Sequence, residues 1–374
     1  MLYLFRYIAI SIIISVFSLV NASNKKAAIV IDFTDNQKVL FSENATAKRH
    51  PASLTKVMTV YLLLEAIREK KISFDTKFKV SRLASIQMPS KLGLKVGEKI
   101  KVIDAIKALA VKSANDVAVV VAEGMCGSVA NFCSLMNKTA RRLGMNDTHF
   151  ENPSGVPNQK QITTAKDMAL LEIAVFKHFP QYWYLFSLKS FSYQGANHGT
   201  HCKILHWYKG ADGAKTGYIA ASGFNLMVTA NKYNKEGKNR RLFVVVMGGA
   251  TGKSRDLQAA KLMDQYFGEY KIFTNNAPKP AVEKTYPEKK PLSKEKLSKA
   301  EEVDSTNQAV DIQDAEKETS PYTKHLDKLY EHDEDVIQIE EETFVDSTKV
   351  SKPSKRSKHI KKYKRKRSYS RSKS

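Results

Sequence analysis

Cysteine is scarce in this 374-residue chain, and no set of cysteines and histidines has zinc-site spacing. The odd count of three leaves at least one thiol unpaired within the chain. Cys126 and Cys133 are seven residues apart, which on one helix puts them about two turns apart, too far to bond. We interpret these two and Cys202 as small buried apolar residues. The sequence predicts no metal site and no cofactor.

Long apolar runs are also rare, and the one at the N-terminus has a specific context. A single arginine, Arg6, precedes an apolar run over residues 7–20, and Val-Asn-Ala follows at 20–22. These are the three parts of a secretory signal peptide, so we predict one over residues 1–22. An uncleaved anchor is the alternative, because the run is near the minimum length for spanning a bilayer. Either way we expect the mature chain to reach the periplasm or cell envelope.

Acidic residues are outnumbered, 38 against 61 lysines and arginines, which gives a net charge of +23. From residue 276 onward the chain is rich in proline, lysine and glutamate and poor in core residues. We predict a disordered charged linker over 276–351 and a basic tail over 352–374, which holds twelve lysines and arginines. An exported tail rarely meets nucleic acid, so an anionic membrane or envelope polymer is the expected partner. A solvated tail without a partner is the alternative.

Residues 23–275 have the periodicities of a folded domain. Two apolar, β-branched runs at 27–33 and 38–44, joined by a polar turn, predict a hairpin. Helical periodicity covers three segments, 57–69, 104–125 and 129–145, and a further helix follows residue 254. Between these, strands are predicted at 222–231 and 240–250. Strands at both ends with helices between them indicate an α+β domain, with a helical cluster against a sheet.

Ser-x-x-Lys occurs four times, and one copy lies where a helix begins. Ser53 and Lys56 come at the start of an apolar-periodic helix, whose first N–H groups are unpaired and suit a developing oxyanion. Lys56 lies one turn after Ser53 on the same face, and a desolvated lysine can act as a base. The other copies lack this context: Ser23–Lys26, Ser293–Lys296 and Ser370–Lys373.

Two further motifs follow the Ser53 motif. Ser113 and Asn115 are polar residues within an apolar helical segment, although a capping serine in a turn between helices would have the same pattern. Lys-Thr-Gly occurs once, at 215–217, and opens a strand-rich segment. There Lys215 offers positive charge and Thr216 a hydroxyl donor for a carboxylate, although an exposed edge strand would explain both residues.

The order of the three motifs is more specific than any one of them. Ser-x-x-Lys, Ser-Asp-Asn and Lys-Thr-Gly, in this order, are the signature of penicillin-binding proteins and class A β-lactamases. Here the middle motif is Ser-Ala-Asn. With "ASLTKVMT", "LAVKSANDVAVVVAE", "NDTHFENPSGVPNQKQITTAKDMALL" and "GADGAKTGYIAASGFNL", residues 25–275 resemble the D-alanyl-D-alanine carboxypeptidases of the peptidase S11 type. The resemblance implies a β-lactamase/transpeptidase-like fold, with an antiparallel sheet flanked by helices and a helical subdomain.

The same resemblance implies a catalytic role for three residues. Ser53 would be the acylated nucleophile, and Lys56 its general base. Ser113 would relay a proton towards the leaving D-alanine. Lys215 would support this relay through its charge.

Further residues would hold the substrate by the same resemblance. Asn115 would bind the amide backbone, and Thr216, followed by Gly217, would hydrogen-bond the terminal carboxylate. The backbone N–H of Tyr218 would form the oxyanion hole together with that of the nucleophile. Arg255 lies where similar enzymes place a carboxylate-binding arginine, with a solvated helix start as the alternative.

The activity implied by the resemblance is removal of the terminal D-alanine from peptidoglycan stem pentapeptides, with β-lactams as covalent inhibitors. A D,D-endopeptidase of the same fold is the nearest alternative, because one acyl-enzyme serves both reactions. A class A β-lactamase would need Glu-x-x-Leu-Asn, and the only candidate, Glu151, is followed at once by asparagine. A non-catalytic envelope-binding protein is disfavoured because the three motifs stand together.

Overall fold

The computed structural model describes residues 25–234 and 236–268. The predicted signal peptide, the linker over 276–351 and the basic tail over 352–374 lie outside these residues. Within them, no single helix has the length and apolar composition to cross a membrane. Two consecutive helices, Asn115–Cys126 and Val129–Arg142, meet those criteria only as a pair bent by 86°.

A five-stranded antiparallel sheet forms the centre of the domain, with the strand order β2-β1-β9-β8-β7. Two small two-stranded ribbons, β3–β4 and β5–β6, lie apart from it. The strands are β1 Ala27–Asp32, β2 Lys38–Glu43, β3 Lys77–Lys79, β4 Lys99–Lys101, β5 Ser190–Tyr193, β6 Ala196–Gly199, β7 Ala211–Ile219, β8 Gly223–Tyr233 and β9 Asn239–Gly249. The predicted N-terminal hairpin and the two C-terminal strands are confirmed.

Eight α-helices are described in these two ranges, and three of them, the last three along the chain, pack closely against the five-stranded sheet. They are α1 Thr55–Arg68, α2 Arg82–Ser85, α3 Val102–Lys107, α4 Asn115–Cys126, α5 Val129–Arg142, α6 Ala165–His178, α7 Ile204–Trp207 and α8 Gly252–Phe267. The order of strands, helices and strands along the chain confirms the predicted α+β fold with a helical cluster.

The central strands are apolar at nearly every position because both faces of the sheet are covered. Side chains alternate along a strand, so Ala28 and Val30 pack in the core with α7 and α8. Ile29 and Ile31 face the opposite way and pack in the larger core that includes α1, α4 and α6. This two-sided burial explains why the strands read as continuous hydrophobic runs.

The predicted helix over residues 104–125 is interrupted, and this prediction was wrong. α3 ends at Lys107 and passes into a π-helical turn, Ala108–Lys112. Ser113 then adopts a left-handed conformation with φ of 60°, and α4 begins at Asn115. Apolar periodicity continues on both sides of the break, and its position agrees with the turn between helices that was the alternative for Ser113. π-helical turns often mark functional sites.

The cysteines lie in three separate places, and all three are free thiols. Cys126 ends α4 and Cys133 lies in α5, so the spacing of residues along a single helix does not apply to this pair. Cys133 and Cys202 are buried as expected, whereas Cys126 is half-buried. Burial raises the pKa of Cys133 to about 11, which keeps this thiol protonated and unreactive at neutral pH.

Candidate active site

Ser53 lies in a 3-10 turn, Ala52–Leu54, that leads directly into α1. Ala52 has a φ of 48°, a left-handed conformation that costs about 1–3 kcal/mol in a non-glycine residue. Two glycines enclose this turn. A Cβ on Gly155 would lie 2.8 Å from the Ser53 nitrogen, and one on Gly217 would lie 2.9 Å from the same atom. Both positions need glycine, because the chain approaches the Ser53 backbone so closely from either side.

Lys56 projects from the first turn of α1 towards Ser53. Its Nζ donates hydrogen bonds to Ser53 Oγ at 2.9 Å, to Asn115 Oδ1 at 2.7 Å and to the Ser154 carbonyl oxygen at 2.6 Å. The side chain is 1% exposed. The predicted adjacency of the serine and the lysine is therefore present, in a site that excludes solvent from the amine.

The surroundings of Lys56 favour its neutral form. Burial holds the pKa of Lys56 well below its usual value of 10.5, and the nearby positive charge of Lys215 lowers this pKa further. The carboxylate of Asp116 opposes the shift in part. A larger fraction of Lys56 is therefore neutral near pH 7 than for an exposed lysine, and a neutral amine at this distance can accept the Ser53 proton.

Ser113 and Lys215 come together from distant parts of the sequence. The left-handed backbone of Ser113 breaks the helical path, and Ser113 Oγ accepts a hydrogen bond from Lys215 Nζ at 2.9 Å. The same ammonium donates to the Thr216 carbonyl oxygen at 2.7 Å. Burial lowers the pKa of Lys215 to about 8. Two buried lysines thus lie near one another, each bonded to a serine hydroxyl.

Asn115 and Asp116, at the start of α4, fix the loop beside the site. Asn115 Nδ2 donates to the carbonyl oxygens of Met88 at 3.0 Å and Pro89 at 3.1 Å, and its backbone N–H donates to the Ser90 carbonyl at 2.7 Å. The buried Asp116 carboxylate accepts from three successive N–H groups, those of Leu92, Gly93 and Leu94. The second motif therefore also positions the loop over 88–94.

The segment over residues 152–155 contributes to the site in a way that sequence reasoning missed. Asn152 Oδ1 accepts from the backbone N–H of Gly155 at 2.7 Å and of Ser154 at 3.2 Å. Thr59 Oγ1, in α1, donates to the Pro153 carbonyl at 2.7 Å. These bonds hold the Ser154 carbonyl against Lys56. Backbone carbonyls have no side-chain signature, so only the resemblance of this block pointed to it.

Asn225 in β8 is a second residue that the sequence did not reveal. Its Nδ2 donates to the carbonyl oxygens of His50 at 3.0 Å and Pro51 at 3.3 Å, and its Oδ1 accepts from the Gly248 N–H at 3.0 Å. The side chain is buried. Asn225 thus connects the sheet to the segment that leads into the nucleophile turn, and these three bonds of its side chain are all to backbone atoms.

The third motif lies on β7, which among the described strands is at the edge of the sheet and pairs with β8 alone. Lys215, Thr216 and Gly217 are buried, and Gly217 lies against the turn that carries Ser53. The Tyr218 ring packs against that of Phe224 with centroids 4.3 Å apart. The motif therefore runs along the border between the sheet and the Ser53 turn.

Arg255 is buried in the first turns of α8, so the alternative of a solvated helix start was wrong. It is 4% exposed, and its Nε donates to Asp256 Oδ1 at 2.7 Å. Its Nη1 also lies 3.4 Å from the Asn225 carbonyl oxygen. The charge of Arg255 is close enough to lower the pKa of Lys215. Its role in binding a carboxylate stays a prediction.

Comparison with known proteins identifies the family of this chain. The peptidase S11 family, described as D-alanyl-D-alanine carboxypeptidase, matches residues 18–251. The D-alanyl-D-alanine carboxypeptidase DacF of Bacillus subtilis is 33% identical over 258 residues, which are 67% of this chain and 64% of DacF. The chain therefore spans less than two thirds of the length of this relative.

Solved structures show the same fold. The D-alanyl-D-alanine carboxypeptidase DacD from Francisella tularensis matches with a TM-score of 0.61 at 28% identity, over 68% of this chain and 73% of that one. Penicillin-binding protein D2 from Listeria monocytogenes, solved with cefotaxime bound, matches with a TM-score of 0.57 at 29% identity, over 64% and 96%. The predicted antiparallel sheet with flanking helices is confirmed, and the family match covers more than half of the chain. This chain belongs to the peptidase S11 family of D-alanyl-D-alanine carboxypeptidases.

Proposed function

We propose that this chain is a serine-type D-Ala-D-Ala carboxypeptidase that removes the terminal D-alanine from peptidoglycan stem peptides. The observation that carries the proposal is the pair formed by Ser53 and Lys56. Lys56 Nζ lies 2.9 Å from Ser53 Oγ, and burial lowers the pKa of this amine. A serine with a neutral amine within hydrogen-bonding distance is an activated nucleophile.

Acylation follows from these contacts. Ser53 Oγ attacks the carbonyl carbon of the penultimate D-alanine, and its proton passes to Lys56 Nζ as the new C–O bond forms. The backbone N–H groups of Ser53 and Tyr218 would stabilise the oxyanion, and losing one such donor typically costs about 3–4 kcal/mol of barrier. The C–N bond then breaks as Ser113 passes its proton to the leaving amine and takes up the proton held by Lys56, which leaves Lys56 neutral for the next step. Lys215, bonded to Ser113 Oγ, supports this transfer through its charge.

Deacylation repeats the chemistry with water as the nucleophile. Water loses a proton to Lys56 and attacks the ester carbon, the C–O bond to Ser53 breaks, and the proton returns to Ser53 Oγ. Asn115 would hold the substrate amide, while Thr216 and Arg255 would bind the terminal carboxylate. The buried Lys215 and Arg255 favour a ligand that ends in an anion, as a stem peptide does.

The class A β-lactamase alternative gains no support from Glu151. Its carboxylate is paired with His149 Nε2 at 2.7 Å. A D,D-endopeptidase would use the same acyl-enzyme, so the two activities are distinguished by substrate. We propose the carboxypeptidase as the main activity because the family and its relatives carry that name.

The activity is tested by release of D-alanine from a pentapeptide ending in D-Ala-D-Ala. The matched control is the same peptide with its terminal carboxylate amidated, which removes the anion that Thr216 and Arg255 would bind. We expect D-alanine from the free acid and at least a tenfold lower rate from the amide, about the 1.4 kcal/mol of one weakened contact. Equal rates on both peptides would contradict the proposed carboxylate site. Faster turnover of a cross-linked dimer than of the pentapeptide would identify an endopeptidase.

The two buried lysines set an expected pH dependence. Acylation should rise with pH as Lys56 becomes neutral, and fall above about pH 8 as Lys215, with its pKa of about 8, loses its charge. Lys215→Arg keeps its charge beyond pH 12 or so, and should shift this alkaline fall upward. The rate of acylation by a penicillin, measured from about pH 5 to pH 10, would show both the rise and the fall. An alkaline limb at the same pH in Lys215→Arg would show that another group titrates there.

The depressed pKa of Lys215 also makes stability depend on pH. Between about pH 8 and the usual lysine pKa of 10.5, the folded chain binds fewer protons at this site than the unfolded chain. The cost of burying the ammonium is therefore present in full below pH 8. This cost disappears as the pH rises towards 10.5, so the contribution of Lys215 to the free energy of unfolding increases with pH.

We further propose that β-lactams acylate Ser53, which the cefotaxime-bound relative supports. Export to the periplasm or cell envelope fits a peptidoglycan substrate. The signal peptide over residues 1–22 and the attraction of the tail over 352–374 to an anionic surface stay predictions.

A further inference from the structure

The small ribbon formed by β3 and β4 carries two pairs of lysines that face each other across the strands. Lys77 lies opposite Lys101, and Lys79 lies opposite Lys99. The residue between them on β3, Phe78, is buried on the other face of the ribbon, and all four lysines are exposed. Four ammonium groups therefore project from one face, with neighbours about 5–7 Å apart by strand geometry.

This arrangement does not serve the stability of the fold. Like charges directly opposite one another in an antiparallel pair are destabilising. Lys101 has an acidic partner, Asp75, at 2.8 Å. Within residues 25–234 and 236–268, none of Lys77, Lys79 and Lys99 forms an ion pair. The unpaired positive charges are available to a partner outside the domain.

Exposed apolar side chains cluster in the same part of the chain. Among the described residues, five large hydrophobic side chains are exposed, and four of them lie between positions 83 and 96. Val96 is 61% exposed and Ile86 is 66% exposed, so neither side chain is packed in the core. The other two in this segment are Leu83 and Met88.

Backbone hydrogen bonds join the lysines and the apolar residues into one unit. The Val80 N–H donates to the Glu98 carbonyl at 2.8 Å, and the Gly97 N–H donates to the Val80 carbonyl at 2.9 Å. The ribbon thus continues past the Lys79–Lys99 pair into the turn that carries Val96. We call residues 77–101 the ribbon face; they include seven lysines and arginines and a single acidic residue, Glu98.

The chemistry of the ribbon face fits an anionic lipid surface better than other partners. Basic residues near such a surface contribute about 1 kcal/mol each, and adjacent apolar side chains add burial in the headgroup region. A dissolved anionic polymer would use the charges and leave the apolar residues exposed. A second copy of the same face would repel the first. We propose that the ribbon face docks the folded domain on an anionic membrane, a role beyond the proposed catalysis.

Docking would also orient the candidate active site. Met88, one of the exposed apolar residues, has its carbonyl bonded to Asn115 Nδ2 at 3.0 Å. The ribbon face is therefore continuous with the border of the site. A domain held by this face would present the site near the lipid surface.

The test follows the environment of one side chain in the full chain. In Ile86→Trp, anionic vesicles of phosphatidylcholine with about a third phosphatidylglycerol should shift the indole emission to shorter wavelength. Pure phosphatidylcholine vesicles should not. Tyr184→Trp, at an exposed position in another part of the domain, is the control and should show no shift. The native Trp183 and Trp207 contribute the same background to both variants.

Charge removal tests the lysines in the Ile86→Trp background. One variant neutralises the three unpaired lysines of the ribbon face, Lys77→Gln, Lys79→Gln and Lys99→Gln. Its matched control removes as many exposed lysines elsewhere, Lys138→Gln, Lys160→Gln and Lys261→Gln. At about 1 kcal/mol per lysine, the first variant should need up to ~100-fold more lipid for a half-maximal shift. The control should need nearly the same amount as the parent.

Two outcomes would overturn the proposal. If vesicles retain the chain but the indole at position 86 stays unshifted, another part of the chain holds the membrane. The second outcome is that the lysine variant no longer binds isolated cell-wall polymer, while parent and variant bind vesicles equally. The ribbon face would then be a binding surface for the polymer and not for the membrane. A normal thermal unfolding curve for each variant excludes misfolding as the cause.

Discussion

Intact mass spectrometry after incubation with a penicillin should show one penicilloyl adduct on the wild-type chain and none on Ser53→Ala. The reason is chemical, because the ester forms on Ser53 Oγ and alanine has no atom to carry it. Ser53 Oγ lies 2.9 Å from Nζ of the buried Lys56, whereas the serines of the other three Ser-x-x-Lys copies lie outside the described residues. The expected effect is complete loss of the adduct.

The matched control for Ser53→Ala is Ser293→Ala, which removes the serine of another Ser-x-x-Lys copy. This variant should carry the adduct to the same extent as the wild type. An equal adduct on Ser53→Ala would show that a different nucleophile is acylated. Thermal unfolding of Ser53→Ala should resemble that of the wild type, since Oγ accepts one hydrogen bond in the site and the backbone turn is unchanged.

Replacing Lys56 with arginine should slow acylation by about 10²–10⁴-fold, the usual contribution of a general base. Arginine keeps the positive charge and hydrogen-bond donors, but its pKa above 12 or so prevents it from becoming a neutral base near pH 7. Lys56→Met, which removes both the base and the charge, should be slowed at least as much. The measurement is the rate of adduct formation at a fixed penicillin concentration.

The comparison between the two Lys56 variants separates proton transfer from charge. If Lys56 acted only through its charge, the arginine variant would react at close to the wild-type rate, and the base assignment would be wrong. Lys70→Arg, at an exposed position just after α1, is the conservative control and should leave the rate unchanged. Melting temperatures of the variants identify any loss that comes from the fold.

Much of the site could be predicted because its side chains occur in ordered motifs. The three motifs are far apart in sequence, and the structure brings their side chains into two hydrogen-bonded groups, Ser53–Lys56–Asn115 and Ser113–Lys215. The hairpin and the C-terminal strands were predictable for a different reason, since buried strands leave apolar runs between polar turns.

The remaining features have no pattern of their own in the sequence. The break at Ser113 lies between two apolar segments with continuous helical periodicity, and a left-handed serine looks like any other serine. The Ser154 carbonyl and the backbone partners of Asn225 are main-chain atoms, which every residue possesses. The burial of Arg255 depends on the packing of α8 against the sheet, so the sequence alone left a solvated helix start open as the alternative.

The position of β7 at the edge of the sheet links catalysis to solubility. An edge strand presents unpaired backbone groups that can recruit another chain. Here the nucleophile turn lies against β7 at Gly217, where an added Cβ would be 2.9 Å from the Ser53 nitrogen. Because strand side chains stand roughly perpendicular to the sheet, the catalytic turn packs over the face of this strand, next to its unpaired edge. Substitutions that loosen this turn should lower antibiotic binding and the yield of soluble protein together, even where no catalytic side chain is altered.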